Sequence, residues 1–176
     1  MYALLSLTRS CSRTTKETTL SLPSLNQAWF EIIRYCVEEV RRQRDTDAHI
    51  IHMVRAWAYA IEKFDTAPKI TPRLIARLGT LVSPLKNPNG FRQCQVVIGE
   101  QSTPSWQEVP RLIGVLCAPA TLSSLSPQQL YVEFEQIHPF RDGNGRVGKI
   151  LLCWKAGELD DPFSVKIPNP WNIQNP

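Results

Sequence analysis

The sequence predicts an all-α domain, a bundle of about six helices with a small β flap. Along most of the 176 residues, apolar side chains recur at steps of three and four, the spacing that places them on one face of a helix. Polar caps and first-turn prolines mark where several of these stretches begin. One run is strand-like, Gln95-Val96-Val97-Ile98-Gly99, and a single short strand cannot form a sheet. The length is that of one domain with one hydrophobic core.

Three helices are predicted in the first half of the chain. A capping box at Ser24 to Gln27 starts the first helix, and the second begins near Asp47. The third starts at the cap and proline of Thr71-Pro72 and runs to about Ser83. Their apolar stripes contain Trp29, Ile33, Cys36 and Val40; Ile50, Val54, Trp57, Ile61 and Phe64; and Leu74, Leu78 and Leu81. These stripes are typical of core-facing helix surfaces.

The second half begins with turn residues at 87–90, followed by the strand-like run, which we interpret as an extended flap or small hairpin. A capping box at Ser105 to Glu108 predicts a fourth helix, with Val109, Leu112, Ile113 and Leu116 facing inward. Another start signal at Ser126-Pro127 predicts the fifth, with an apolar face of Leu130, Phe134 and Ile137. A sixth helix continues through Trp154 and ends near Gly157.

The chain divides into three predicted segments. Residues 1–22 are rich in Ser and Thr with few acids, and we expect a disordered leader, although the composition also resembles an organelle transit peptide. Residues 23–159 form the helical domain. Residues 160–176 contain four prolines and predict an extended tail that wraps the surface.

Composition narrows the function classes. The net charge is only +4, and the densest basic run, Arg41, Arg42 and Arg44, falls at a predicted helix end, where it complements the helix dipole. We therefore expect no nucleic-acid partner. No apolar run approaches the roughly 20 residues of a membrane-spanning helix. The five cysteines have no metal-binding spacing, so we expect reduced thiols and a cytoplasmic location without membrane contact.

The residues best suited to catalysis or ligand binding lie at 138–149, where a loop rich in Gly and Asn joins two predicted helices. Successive backbone N–H groups in such a turn form an anion-binding nest. The next helix opens with Arg146 and Lys149, three residues apart and so on one face, at the end where its dipole disfavours cations. A bound polyphosphate would satisfy the dipole, the nest and both side chains. Asp142 supplies a carboxylate of the kind that Mg²⁺ uses beside phosphate oxygens.

His138 stands at the other side of this loop, at the end of the preceding helix. Its ordinary pKa lies near neutral pH, which suits a general base. A helix C-terminus favours the protonated form, so the surroundings must keep enough of the imidazole neutral. The sequence leaves that balance open. For His49 and His52 we expect surface or core positions without a catalytic role.

The segment His138-Pro139-Phe140-Arg141-Asp142-Gly143-Asn144-Gly145-Arg146-Val147-Gly148-Lys149 resembles the Fic family signature, His-Pro-Phe-x-Asp/Glu-Gly-Asn-Gly-Arg-x-x-Arg. It departs from the signature at the last position, where Lys149 replaces Arg. The resemblance extends over about residues 71–157 and implies a Fic-like helical bundle. Upstream, Gly90-Phe91-Arg92 resembles a looser family element.

The resemblance implies a protein adenylyltransferase that moves AMP from Mg-ATP to a Ser, Thr or Tyr hydroxyl of a target protein. It assigns the general base to His138 and the Mg²⁺ ligand to Asp142. The nucleotide-binding residues it implies are Gly143, Asn144, Gly145, Arg146 and Lys149. Phe140 is expected to anchor the loop in the core, and the flap, Gln95, Val96, Val97, Ile98 and Gly99 with the residues up to Pro104, to align a target segment by strand addition.

Several alternatives remain open. The family also contains phosphotransferases and enzymes that transfer UMP or phosphocholine, although Gly143 and Gly145 favour AMP transfer. A non-catalytic nucleotide-binding regulatory module would not need His138. Removal of AMP from modified proteins is associated in the family with a regulatory glutamate, and none is visible here. Many members carry an inhibitory Glu followed by Gly or Asn. No glutamate of this chain is, so we expect the isolated chain to lack autoinhibition unless a separate partner supplies it.

Overall fold

The computed structural model describes the backbone of residues 22–171 and the side chains of residues 27–171. The predicted leader, apart from its last residue, and the last five residues of the predicted tail lie outside the described residues.

The described residues form seven helices and one hairpin, which confirms the predicted all-α fold with a small β flap. The helices are α1 (Leu22–Arg42), α2 (Asp47–Thr66), α3 (Pro72–Val82), α4 (Val109–Leu116), α5 (Pro119–Ser124), α6 (Pro127–Ile137) and α7 (Asn144–Ala156). The hairpin pairs β1 (Val97–Ile98) with β2 (Gln101–Ser102) in antiparallel register.

Helix α7 is the centre of the bundle. It packs along α6 and also contacts α2 and α3, while α1 lies against α2. Where α6 and α7 meet, a Cβ on Gly148 would come within 2.9 Å of the Tyr131 ring, so the close approach requires glycine. Ten residues of α7 are buried, including Arg146 and Lys149. Two buried cations in a central helix require specific partners, because an unpaired charge is costly to remove from water.

Several helix starts follow the predicted local signals. Ser126 caps α6 with both hydrogen bonds of a capping box, and the Thr71 side chain accepts from the Leu74 N–H at the start of α3. Gly157 ends α7 in the left-handed conformation (φ 77°) that glycine adopts without strain. These signals act within a few residues, which is why the sequence predicts them.

Three local predictions need correction. Helix α1 begins at Leu22, so the predicted cap at Ser24 lies inside the helix; Pro23 suits its first turn. Helix α4 begins at Val109, because Ser105 contacts Gln107 rather than capping a helix and residues 106–108 form a turn. Helix α5 was not predicted, since its six residues are too short to show an apolar stripe and none is buried.

Beyond Gly157 the chain crosses the outside of the bundle. The Leu159 carbonyl accepts a hydrogen bond from the buried indole of Trp57 over 2.7 Å, and the Phe163 ring lies edge-on to Tyr35. Further along, the Val165 carbonyl accepts from Lys149. These contacts cover the α1 side of α7 with irregular chain.

Among the residues that the structure describes, no helix combines the length and apolar character needed to cross a bilayer.

Candidate active site

The loop between α6 and α7 is closed by its own asparagine. The Asn144 side chain accepts from the Phe140 N–H over 2.9 Å and donates to the Phe140 carbonyl over 3.0 Å. The Phe140 ring is fully buried, and it leaves no room for a Cβ on Gly79, which would lie 2.1 Å from the ring. Gly143 has φ 81°, a conformation that favours glycine, immediately before the first turn of α7. The loop therefore has one fixed shape with the N-terminus of α7 at its end.

The segment after α3 holds the loop from outside. The buried Asn87 side chain accepts from the Arg141 N–H over 3.2 Å and donates to the Asp142 carbonyl over 2.8 Å. The Ser83 hydroxyl donates to the Asp142 carboxylate over 2.7 Å. Sequence reasoning missed Asn87 and Ser83 as site residues, since they precede the loop by more than 50 positions and look like ordinary turn residues.

Arg146 is the central cation of the site. Its side chain is 1% exposed, and Nη2 donates to the Asp142 carboxylate over 2.9 Å. Nη1 lies 3.6 Å from a carboxylate oxygen of Asp45 in the α1–α2 turn. Within the described residues, Nε and Nη1 have no hydrogen-bond partner. A buried guanidinium with unmatched donors beside a helix N-terminus is suited to an anionic ligand.

Asp142 remains a carboxylate at neutral pH. Partial burial acts to raise its pKa, but the hydrogen bond from Ser83 and the charge of Arg146 outweigh burial, and the pKa is lowered. The side chain is 39% exposed, so it is accessible from the loop side. No group of three or more metal-binding side chains occurs among residues 27–171. Mg²⁺ is commonly held by one or two protein carboxylates together with waters and substrate oxygens, and the accessible Asp142 carboxylate fits that kind of ligand.

His138 ends α6 in a left-handed conformation with φ 49°, which is uncommon for a residue other than glycine. Burial lowers the pKa of its imidazole from the ordinary 6.5 to about 4; the Glu135 carbonyl opposes this shift, and the charge of Arg92 adds to it. Burial thus decides the balance that the sequence left open. The ring is neutral at physiological pH and can accept a proton.

These residues surround a cavity of about 240 Å³, smaller than the roughly 300–1,000 Å³ of sites that enclose a whole ligand. Its size suits phosphate groups, with the remainder of a larger molecule lying outside. The lining residues are Gln43, His138, Arg141, Asp142, Gly143, Asn144, Gly145 and Arg146. Apart from its chain neighbours and the backbone of its own helix, no atom of the described residues lies within 4 Å of the position that a Cβ on Gly145 would occupy. A larger cavity, of about 660 Å³, lies at the other end of α7, beside Trp154 and Gly157, and includes none of the loop residues.

Lys149 is the one predicted nucleotide-binding residue that the structure does not bring to this cavity. It is 2% exposed, and its ammonium group donates to the Val165 carbonyl and lies 5.6 Å from the Tyr35 ring. Burial lowers its pKa. Arg146 and Lys149 therefore occupy different surroundings one helical turn apart, because α7 is buried on all sides.

The predicted flap forms the β1–β2 hairpin, with Gly99 at its tip in a left-handed conformation of φ 57°. Its base is closed by Thr103, whose hydroxyl donates to the Val96 carbonyl over 2.7 Å, while the Gln95 amide donates to the Thr103 carbonyl over 2.9 Å. Val97 is 67% exposed. Within the described residues each strand pairs only with the other, so the outer edges of the hairpin are free.

Comparison with family models identifies residues 64–155 as a Fic/DOC family domain. This match covers more than half of the chain and includes the whole loop from His138 to Arg146. The chain belongs to the Fic/DOC family.

A solved structure of Fic-1 from C. elegans shares the fold with this Fic-family chain. The two superpose with a TM-score of 0.52 at 15% sequence identity, over 83% of this chain and 51% of that one. The present chain thus spans about half the length of the Fic-1 structure, and the similarity concerns the fold alone. Comparison with curated protein sequences gave no significant match.

The matched Fic/DOC region, residues 64–155, contains α3 to α6 and most of α7. The family loop brings His138, Asp142 and Arg146 around one cavity, as described above. In this Fic domain the position of the last signature residue, Lys149, contacts the chain beyond α7 instead.

Proposed function

We propose that this Fic domain is a protein adenylyltransferase that moves AMP from Mg-ATP to a hydroxyl group of another protein. The observation that carries the proposal is the buried guanidinium of Arg146. Its Nε and Nη1 donors have no hydrogen-bond partner within the described residues, and they lie beside a glycine-lined cavity at the start of α7. A phosphate chain supplies acceptors for these donors and negative charge for the helix dipole.

The neutral imidazole of His138 is the proposed general base. The hydroxyl oxygen of the target attacks the α-phosphorus of ATP, and the bond from that phosphorus to the bridging oxygen of the β-phosphate breaks. The hydroxyl proton passes to the imidazole, and pyrophosphate leaves with the bond electrons. Because the pKa of His138 is about 4, the ring is neutral at pH 7 and has a free nitrogen lone pair for this proton.

Asp142 is the proposed protein ligand of Mg²⁺. Its carboxylate is ionised and 39% exposed at the edge of the cavity. A bound Mg²⁺ supplies charge neutralisation for the phosphate oxygens. Asn87 and Ser83 hold the Asp142 backbone and carboxylate in place through the hydrogen bonds described above.

The β1–β2 hairpin is the proposed surface for the target. Its free strand edges offer unpaired backbone groups to an extended segment, which is the usual basis of recognition by strand addition. Such an interaction leaves the side-chain sequence of the target largely unspecified, so it supports a protein substrate without naming one.

The test compares labels on the two ends of ATP. The chain is incubated with a cell lysate and Mg²⁺, using ATP labelled at either the α- or the γ-phosphate, and with labelled GTP, CTP and UTP in parallel. We expect protein labelling from the α-phosphate only, reduced by about 10² to 10⁴ in His138→Ala, the usual loss when a general base is removed. Glu133→Ala, an exposed change on the same helix, is the matched control.

Thermal melts establish that both variants are folded. Transfer from the γ-phosphate would replace the proposal with phosphotransfer. Equal α-labelling by wild type and a folded His138→Ala would remove the base from the mechanism.

A further inference from the structure

Arg92 is almost completely buried, at 2% exposure, and lies outside the cavity lined by the loop. Its guanidinium donates to two separate parts of the site. Nε donates to the His138 carbonyl over 2.8 Å, and Nη1 donates to the Cys94 carbonyl over 3.0 Å. Nη2 donates to the Pro104 carbonyl over 2.6 Å and to the Thr103 hydroxyl over 3.3 Å. One side chain thus joins the end of α6 to both ends of the hairpin segment.

We propose that Arg92 is a positioning residue that couples the hairpin to the backbone of His138, so that the target-aligning strand and the base keep one relative placement. This inference rests on the proposed function, since it gives the coupling its purpose. The fork of the guanidinium is what makes the coupling, because it contacts both segments at fixed angles.

The hairpin requires such an anchor. Each of its strands has two residues, and an isolated two-stranded hairpin of this size is not stable in water. Thr103 and Gln95 close the base of the hairpin, but they connect it only to itself. Arg92 connects that base to the bundle, through its side chain and through its N–H, which donates to the Pro139 carbonyl over 2.8 Å.

His138 requires the same anchor for a different reason. Its carbonyl is among the last of α6, where no intrahelical N–H follows to satisfy it, and Arg92 supplies the donor. The residue also holds φ at 49°, a strained conformation that persists only when its surroundings fix it. Fixing the backbone at this point fixes where the imidazole projects.

Three variants separate the fork from the charge. Arg92→Lys keeps the charge but cannot contact both segments. Arg92→Met removes both the charge and the planar guanidinium. Arg77→Met, on the exposed face of α3, is the matched control. Two measurements need neither nucleotide nor target. One is amide hydrogen exchange of residues 95–103, and the other is the NMR titration of the His138 ring, assigned with His138→Ala.

We expect amides of the hairpin to exchange at least ten-fold faster in Arg92→Lys and Arg92→Met, and at the wild-type rate in Arg77→Met. The His138 ring should titrate at higher pH in Arg92→Met and near its wild-type position in Arg92→Lys. The other charged groups around the cavity, Asp45, Arg141, Asp142 and Arg146, are unchanged in all three variants, as is the buried Glu135 on α6. The proposal would be overturned if a folded Arg92→Met showed hairpin exchange rates within two-fold of wild type and the wild-type titration midpoint of the His138 ring.

If neither Arg92 variant folds, exchange in the wild-type chain decides. Coupling requires the hairpin amides and the Phe140 amide to open together, with equal sensitivity to low urea concentrations; separate opening of the two segments would overturn it.

Where transfer activity is detected, Arg92→Lys should lower its rate at least ten-fold and leave the dissociation constant of Mg-ATP within two-fold. A wild-type chain without any transfer activity would contradict the proposed function and leave these exchange results in force.

Discussion

Nη2 of Arg146 donates to the carboxylate of Asp142 over 2.9 Å, while the Nε and Nη1 donors of the same guanidinium have no hydrogen-bond partner within the described residues. Asp142 lies in the loop that leads into α7, four residues before Arg146. Asp142 therefore orients the guanidinium and leaves donors for a ligand. A buried donor without a partner costs free energy, and a phosphate bound here would recover it.

Replacing Arg146 should remove most of the affinity for phosphate. We expect Arg146→Lys to weaken binding of Mg-ATP at least ten-fold, because charge-assisted hydrogen bonds contribute about 1.5–3 kcal/mol each and lysine lacks the planar fork. Isothermal titration calorimetry with Mg-ATP and with pyrophosphate measures the change, and Arg77→Lys on the exposed face of α3 is the control. Affinity within two-fold of wild type would show that Arg146 does not bind the phosphates.

Gly79 should not tolerate even one methyl group. A Cβ there would lie 2.1 Å from the Phe140 ring, and overpacking of this kind costs about 1–3 kcal/mol. The control is Gly114→Ala in α4, where the added Cβ meets no described atom within 4 Å beyond its chain neighbours and its own helix backbone, and alanine should gain about 0.5–1 kcal/mol from helix propensity. Urea unfolding should therefore shift in opposite directions for the two variants. A Gly79→Ala chain as stable as Gly114→Ala would mean that Phe140 is free to move.

Glu135 should make the chain less stable at alkaline pH. Burial raises the pKa of this carboxyl from 4.5 to about 7 in the folded chain, and its Oε1 has no hydrogen-bond partner in the described residues. Its contribution is complete below pH 4.5 and is lost as the pH rises through 7, because only the unfolded chain ionises freely. Glu135→Gln should remove this loss.

Unfolding free energies at pH 5 and pH 8.5 test this expectation, with the exposed Glu133→Gln as control. His138 gives the opposite slope between pH 4 and 6.5, since its folded pKa is lowered, but it is present in all three chains. An equal change in unfolding free energy between pH 5 and pH 8.5 in wild type and in Glu135→Gln would refute the raised pKa of Glu135.

The features that the sequence predicts are those set by neighbours along the chain. The caps at Thr71 and Ser126 and the glycine that ends α7 depend on a few adjacent residues. The loop from His138 to Arg146 is likewise continuous, so its residues meet at one cavity wherever the helices place it.

The remaining features depend on distant segments. Arg92 reaches the His138 carbonyl across 46 residues and Asn87 reaches the Asp142 carbonyl across 55, and neither residue type identifies such a partner in advance. Lys149 shows a second limit. Three-residue spacing places it on the same face as Arg146, but in a helix buried on all sides the next turn faces different neighbours, here Tyr35 and Val165.

Asp45 should act against anion binding. Its carboxylate oxygen lies 3.6 Å from Nη1 of the buried Arg146, and its other oxygen contacts the His49 ring over 2.8 Å. The α1–α2 turn thus places negative charge beside the proposed phosphate site, and a bound polyphosphate would be repelled by it. The sequence contains no Glu followed by Gly or Asn, the pattern of the family's inhibitory glutamate. In the structure, an aspartate of the α1–α2 turn lies beside the site.

We therefore expect Asp45→Asn to tighten binding of Mg-ATP by about two- to five-fold, the range of a partly exposed ion pair worth up to about 1 kcal/mol. Asparagine retains the oxygen that accepts from the Thr46 N–H, so the turn should keep its shape. Asp47→Asn, an exposed change that removes the same charge from the first turn of α2, separates the local effect from net charge. Binding is measured by calorimetry at low and at 0.5 M salt, and the difference should shrink at high salt because exposed charges are screened. Equal affinities for Asp45→Asn and Asp47→Asn at low salt would show that the contact with Arg146 does not oppose the ligand.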